Sequence, residues 1–144
     1  MTSLRAAGAF VVASAALLPV ATAHADAAAQ LGDVPVVASP TCAGTVSADA
    51  QAAPVQIGDH VGHGVRVAIH YDAGIYDGSC AFTDTATWTN LDTGASGRGD
   101  ITAVSTIDGH YGFIGYANAS FATGSGTVVI TLSSHPGAEL RITA

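Results

Sequence analysis

The stretch VRVAIHY, residues 65–71, alternates apolar and polar side chains and decides the fold class. One parity holds only large apolar residues, Val65, Val67, Ile69 and Tyr71, whereas the other includes Arg66 and His70. Because successive side chains of a strand point to opposite faces, this pattern predicts a β-strand with one buried face. Helix is disfavoured throughout residues 41–144, since glycine interrupts nearly every window of helical length.

A second strand is predicted from FTDTATWT, residues 82–89, in which every odd position is threonine. Phe82, Ala86 and Trp88 share the opposite face with Asp84. A carboxylate on an inner face needs hydrogen-bond donors. Either the strand bulges at Asp84 or the carboxylate finds partners, and the sequence leaves both open.

Shorter strands are expected at residues 44–48, 55–57, 101–107, 111–121 in pieces, 127–132 and 139–143. Turn residues separate them at Asp77-Gly78, Asp92-Thr93-Gly94, Asp108-Gly109, Gly124-Ser125-Gly126 and Pro136-Gly137. This spacing predicts an all-β chain, an immunoglobulin-like antiparallel β-sandwich of seven or eight short strands. A small β-barrel is the alternative.

The N-terminal 40 residues divide into two segments. Residues 1–25 combine Arg5, an apolar run over 6–18 and small residues at Ala23 and Ala25, which is typical of a cleavable signal peptide. Residues 26–40 contain an alanine run and two prolines without a sustained period, which predicts a flexible N-terminal arm. The sandwich domain is therefore expected over residues 41–144.

The charge balance limits the partners. The chain has four Arg, no Lys and 11 acidic residues, a formal net charge of -7. Loss of residues 1–25 removes one Arg and no acid, and leaves -8. Nucleic acids and anionic membranes bind through clustered positive charge, so both are excluded as partners. The sequence predicts a secreted or envelope-associated monomer with no membrane span.

Cys42 and Cys80 are the two cysteines, and both lie in the part of the chain expected to be exported. Outside the cytoplasm oxidation is the default, so they are expected to form one intramolecular disulfide. An intermolecular bridge or free thiols are the alternatives.

Two further motifs are candidate recognition sites. His60 and His63, in GDHVGHG, could act as weak metal ligands, but the flanking glycines favour a solvated polar loop, and no bound metal is expected. Arg98-Gly99-Asp100, in a glycine-rich stretch, resembles the adhesion loops read by integrins and is expected at a loop tip, where a plain β-turn is favoured over an adhesive role.

A hydrolase would need a serine, a histidine and an acid that converge. Ser133, Ser134 and His135 are adjacent, but neighbours in a turn are expected to point apart, and no G-x-S-x-G motif occurs. No catalytic residue and no cofactor is therefore predicted.

The stretches TWTNLDTGASG, residues 87–97, and TGSGTVVITLSSHPG, residues 123–137, resemble the C-terminal half of small secreted β-sandwich proteins of actinobacteria. This resemblance implies a fold and a location, and no activity. The chain is also similar to actinobacterial apoproteins that carry chromophores in a sandwich cleft. The sequence as a whole favours a non-enzymatic binding protein for an unknown protein or small ligand. An apolar-ligand carrier, or less favourably a hydrolase with an unfamiliar site, is the alternative.

The signal peptide gives a first testable prediction. Cleavage is expected after Ala25, because Ala23 and Ala25 fit the small -3 and -1 positions that signal peptidase requires. Intact mass spectrometry of protein from the culture medium should give a chain that begins at Asp26. A secreted species that retains Leu17 and Leu18 would contradict this assignment.

Overall fold

A computed structural model describes residues 26–75, 77–105 and 115–144, in which every regular element is a β-strand. The eight strands are β1 (Ala28–Ser39), β2 (Cys42–Ile57), β3 (His60–Asp72), β4 (Ala81–Asn90), β5 (Ser96–Val104), β6 (Tyr116–Phe121), β7 (Thr127–Leu132) and β8 (Leu140–Thr143). Sheet I has the order β1-β2-β3-β6 and sheet II has the order β5-β4-β7-β8. All of these strands pair antiparallel, and the two sheets are not closed into a barrel, so the predicted β-sandwich is confirmed.

The core lies between the two sheets and follows the predicted alternation. Val65, Val67, Ile69 and Tyr71 are all 0% exposed. Val128 and Ile130 of β7 belong to the same buried cluster from the other sheet. Burial of an aliphatic or aromatic side chain of this size contributes about 1.5–3 kcal/mol, so these facing residues provide the main force that holds the sheets together.

The segment predicted to be a flexible arm instead contains β1, which pairs with β2 from Ala28↔Gln51 to Ser39↔Cys42. The register shifts between Leu31 and Val34. Leu31 packs partly against the core on one side of this irregularity, and Val34 does so on the other. The inward parity is therefore odd before the shift and even after it, which explains why the sequence shows no sustained period. The boundary expected at residue 41 lies inside the first hairpin.

The β2–β3 hairpin extends past the end of β1. Residues 44–48 and 55–57, predicted as two strands, belong to one 16-residue strand. The Ala52 N–H donates to the Ala27 carbonyl at 2.9 Å. Backbone N–H groups that are two positions apart in a strand point to the same side, so the backbone nitrogen of residue 54 faces the same edge of β2. Pro54 has no N–H to donate there, which ends the ladder and protects an open sheet edge against pairing with another chain.

Several sequence predictions lie outside the described residues. These are the signal peptide over residues 1–25, the turn at Asp108-Gly109, and the parts of the predicted strands that fall at residues 106–114.

The disulfide joins the two sheets. Cys42, at the start of β2, is bonded to Cys80, which directly precedes β4, and their Cα atoms are 5.6 Å apart. The Tyr71 hydroxyl donates to the Cys42 carbonyl at 3.3 Å, and burial raises the pKa of Tyr71. The predicted intramolecular bridge between Cys42 and Cys80 is confirmed, and it is anchored in the most buried part of the molecule.

The second prediction concerns this bridge. The cysteines are separated by 38 positions in sequence. The chain-entropy estimate for a closed loop of this size is about 4 kcal/mol. Cys80→Ser should therefore lower the melting temperature by about 10–20 °C. Calorimetry in the absence of reductant measures the effect.

Ser79→Ala is the matched control, because Ser79 is the exposed neighbour of Cys80 and lies outside the bridge. It should melt close to the wild-type temperature. A Cys80→Ser variant that melted within about 2 °C of wild type would contradict the assigned role.

Candidate functional site

A buried polar cluster joins β4 to the turn that follows β7. Asp84 is 0% exposed, and its Oδ1 accepts hydrogen bonds from Ser133 Oγ at 2.8 Å and from the Ser134 N–H at 3.0 Å. Its Oδ2 accepts from Ser134 Oγ at 2.5 Å. The sequence left open whether β4 bulges at Asp84 or whether Asp84 has hydrogen-bond partners. The second alternative is correct, because Asp84 has three donors and the β4–β5 register runs through Asp84↔Ile101 without a shift.

Local backbone pairing explains why these donors converge. The Ser133 N–H donates to the Thr85 carbonyl, and Ser133 Oγ accepts from the Thr85 N–H at 2.9 Å. The ladder between β7 and β4 thus continues one residue beyond Leu132. The chain then turns, with the His135 N–H donating to the Leu132 carbonyl, and this turn brings Ser134 over Asp84. The expectation that these neighbours point apart was wrong, because the shared carboxylate draws them together.

His135 extends the cluster to the other sheet. The side chain is only 6% exposed, and its Nε2 lies 2.8 Å from the carbonyl oxygen of Gly32, at the register shift in β1. A carbonyl oxygen can only accept, so Nε2 is the donor in this contact. The Nδ1 of the same ring lies 2.7 Å from Ser134 Oγ, whose single hydrogen is donated to Asp84. Asp84, Ser134 and His135 therefore form a continuous series of polar contacts from β4 to β1.

The residue types match those of a serine hydrolase, but their order in the network differs. In a catalytic triad the histidine lies between the serine and the acid, so that it can remove the serine proton. Here Ser134 lies between Asp84 and His135, and the other imidazole nitrogen is engaged by a backbone carbonyl. This arrangement can bind two sheets together, and it gives the histidine no carboxylate partner.

The Arg98-Gly99-Asp100 sequence is not at a loop tip, and this expectation was wrong. All three residues lie within β5, paired with Thr87, Ala86 and Thr85. Gly99 leaves room for the Phe121 ring, since a Cβ atom at this position would lie 2.8 Å from the ring and would force it to shift. The glycine-rich stretch therefore forms an extended edge strand whose small residues admit an aromatic ring from sheet I.

His60 and His63 both lie at the exposed start of β3. Residues three positions apart in a strand project from opposite faces, so the structure does not bring the two imidazoles together. His60 Nδ1 lies 3.7 Å from the Asp59 carboxylate. Within the three described ranges, no group of three or more His, Cys, Asp or Glu residues could hold a metal ion.

Sequence reasoning missed a polar pair on the outer face of sheet I. His70 Nε2 lies 3.0 Å from Asp49 Oδ2, and the Tyr116 ring centroid lies 5.1 Å from that of His70. These residues come from β2, β3 and β6. No local pattern in the sequence could have associated them.

The outer face of sheet II carries a hydroxyl-rich surface with an open groove of about 520 Å³. The groove is lined by Thr85, Thr87, Arg98 and Thr131, together with residues 132, 133 and 135–137. The threonine row of β4 predicted this wet face, but only the pairing of β5 and β7 on either side of β4 creates the groove. We define these residues as the sheet II groove.

Comparison with known proteins finds no matching protein-family model, curated protein or solved structure. Across residues 26–75, 77–105 and 115–144, no helix is long and apolar enough to cross a membrane.

The third prediction concerns the buried cluster. Asp84→Ala leaves three donors without their acceptor, two of them on the half-buried Ser134 and one on the exposed Ser133. Loss of three hydrogen bonds, each worth roughly 1–1.5 kcal/mol, should lower the free energy of unfolding by about 3–5 kcal/mol, as measured by urea denaturation. Ser134→Ala, which removes one hydroxyl, should lower the free energy of unfolding by about 1–2 kcal/mol. This variant still tests the prediction if Asp84→Ala does not fold.

The control variant is Asp100→Ala on the exposed face of β5, where one carboxylate oxygen accepts a single hydrogen bond from Thr85 Oγ1. Asp100→Ala should lower the free energy of unfolding by less than about 1 kcal/mol. If Ser134→Ala and Asp100→Ala destabilised the protein equally, the structural role of the cluster would be contradicted.

Proposed function

We propose that this chain is an exported, non-enzymatic binding protein, of the kind found among small secreted actinobacterial β-sandwich proteins, and that its ligand binds at the sheet II groove. The observation that carries the proposal is the groove itself. It is open to solvent, it measures about 520 Å³, and its lining combines hydroxyl groups with a guanidinium. This volume lies within the range of roughly 300–1,000 Å³ that is typical of small-molecule sites.

Two observations support export. The Cys42–Cys80 disulfide is compatible with an oxidising compartment, where such bridges persist. No membrane-spanning helix occurs in the described part of the chain, which is compatible with release from the cell. The apolar run over residues 6–18 supplies the targeting signal in this proposal.

An outer-face site is favoured over a cleft between the sheets. The largest fully buried side chains, which include Tyr71, Ile69 and Ile130, occupy the space in which a sandwich carrier would hold its ligand. In contrast, the groove needs no rearrangement of the core, because Thr85, Thr87 and Thr131 already present their side chains away from it.

Hydrolysis is the alternative function, suggested by the 2.7 Å contact between Ser134 Oγ and His135 Nδ1. For catalysis the histidine would have to release the Gly32 carbonyl and the serine would have to release Asp84. Both changes break hydrogen bonds in a site where His135 is only 6% exposed. The geometry therefore favours a structural use of these residues and a binding use of the outer surface.

The fourth prediction separates binding from catalysis. The ¹⁵N-labelled mature protein, residues 26–144, is titrated with acidic, neutral and basic sugars, amino acids and short peptides. At least one ligand class should shift the amide resonances of Thr85, Thr87, Arg98 and Thr131 in a saturable way. The same mixtures, followed by mass spectrometry, should show no conversion.

A second arm uses ester, peptide and glycoside substrates with wild type and with Ser134→Ala. Turnover by wild type that is lost in Ser134→Ala would overturn the binding proposal. A panel in which every ligand leaves the groove resonances unchanged would also overturn it.

A further inference from the structure

The sheet II groove contains a regular grid of polar side chains that crosses three strands. Thr87 of β4 pairs with Arg98 of β5 on one side and with Thr131 of β7 on the other. Neighbouring strands lie about 4.8 Å apart, so this row presents a guanidinium and two hydroxyls over roughly 10 Å. It is the central row of the groove.

A second row lies two residues along β4. Thr85 pairs with Asp100 of β5, and the Ser133 N–H donates to the Thr85 carbonyl on the β7 side. Side chains that are two positions apart in a strand share a face and are separated by roughly 7 Å. The grid therefore offers polar groups in both directions at spacings of roughly 5 and 7 Å, which is the scale of a single sugar ring.

Arg98 is the distinctive member of the grid. Its side chain is exposed, and no carboxylate of the described residues forms an ion pair with it. Asp100, which shares its face, accepts a hydrogen bond from Thr85 Oγ1 at 2.7 Å through Oδ1. In contrast, Arg141 on β8 is held by Glu139 at 3.1 Å. Among the described residues, the Arg98 guanidinium thus has no carboxylate partner, and it lies in a groove lined with hydroxyls.

The chemistry of these groups specifies the ligand class. A guanidinium fork matches the two oxygens of a carboxylate and can bind it through two parallel hydrogen bonds. Each threonine hydroxyl donates one hydrogen bond and accepts others, which suits ligand hydroxyls. The free Oδ2 of Asp100 can accept from a further ligand hydroxyl.

The charge of the whole chain restricts the ligand further. With 11 acidic residues and four arginines, the protein repels a polyanion at long range. At physiological ionic strength this repulsion is screened beyond about 8 Å, so a single carboxylate can still reach Arg98. A ligand that carries a single carboxylate is therefore favoured over a polyanion such as nucleic acid or polyphosphate.

We infer that the sheet II groove binds a uronic acid, a sugar whose ring carries one carboxylate, with the carboxylate on Arg98 and the ring hydroxyls on Thr87, Thr131 and Asp100. This inference rests on the proposed binding function and names its ligand. Pro136, which is exposed, supplies an apolar part of the same groove for the carbon face of the ring.

The test titrates the mature protein with three probes by NMR. Glucuronate carries both features, glucose has the ring without the carboxylate, and acetate has the carboxylate without the ring. Glucuronate should bind saturably at Thr87, Arg98 and Thr131, at least tenfold more tightly than either glucose or acetate. Arg98→Gln should weaken glucuronate binding at least tenfold, and Thr131→Val should weaken it several-fold.

Arg141→Gln is the matched control, because it removes an arginine from the same sheet outside the groove and should leave the affinity for glucuronate unchanged. Circular dichroism confirms that each variant is folded. The inference is overturned if glucuronate does not saturate, if Arg98→Gln binds it as wild type does, or if acetate binds equally tightly. Glucose binding at the groove as tight as glucuronate would overturn the acidic ligand class and leave the proposed binding function standing.

Discussion

The buried carboxylate of Asp84 fixes the turn after β7 against β4 and thereby sets where this turn meets sheet I, next to the apolar core that holds the sheets together. A charge that is removed from water must be met by donors, and here Ser133 and Ser134 supply three of them. Those donors exist only while the turn after β7 lies against β4. The same turn places His135 against Gly32, so this network also holds β1 at its register shift.

A second connection lies in a different part of the molecule. The aliphatic core is built from small and β-branched residues, and alanine occupies inward positions such as Ala48, Ala50 and Ala86. Small side chains bury less apolar area, so each contributes less to the free energy of folding. The Cys42–Cys80 bridge offsets this by lowering the entropy of the unfolded chain, and it ties the start of β2 to the strand that carries Asp84.

These two connections leave the outer faces of both sheets free for other uses. The residues with catalytic chemistry, Ser134 and His135, are engaged in holding the sheets together. The guanidinium of Arg98 lies instead on the outer face of sheet II, among the threonine hydroxyls of the groove. These groups are accessible without any change in the core, which suits the proposed role in ligand recognition.

The sequence by itself determined the class of fold and the faces of its best strands. The alternation at Val65–Tyr71 and the threonine row of β4 report burial directly, because the strand period of two is a local property. The sequence also predicted the Cys42–Cys80 pairing, since two cysteines allow one intramolecular bridge, but only the structure decided between that bridge and an intermolecular bridge or free thiols. Tertiary structure alone decided the rest. β1 was missed because its register shift reverses the buried parity. Arg98-Gly99-Asp100 lies in a strand because it pairs with β4, and Gly99 leaves room for the Phe121 ring. The Asp84 cluster and the sheet II groove each combine strands distant in sequence, and the residues of such a site acquire neighbours only when the sheets are assembled.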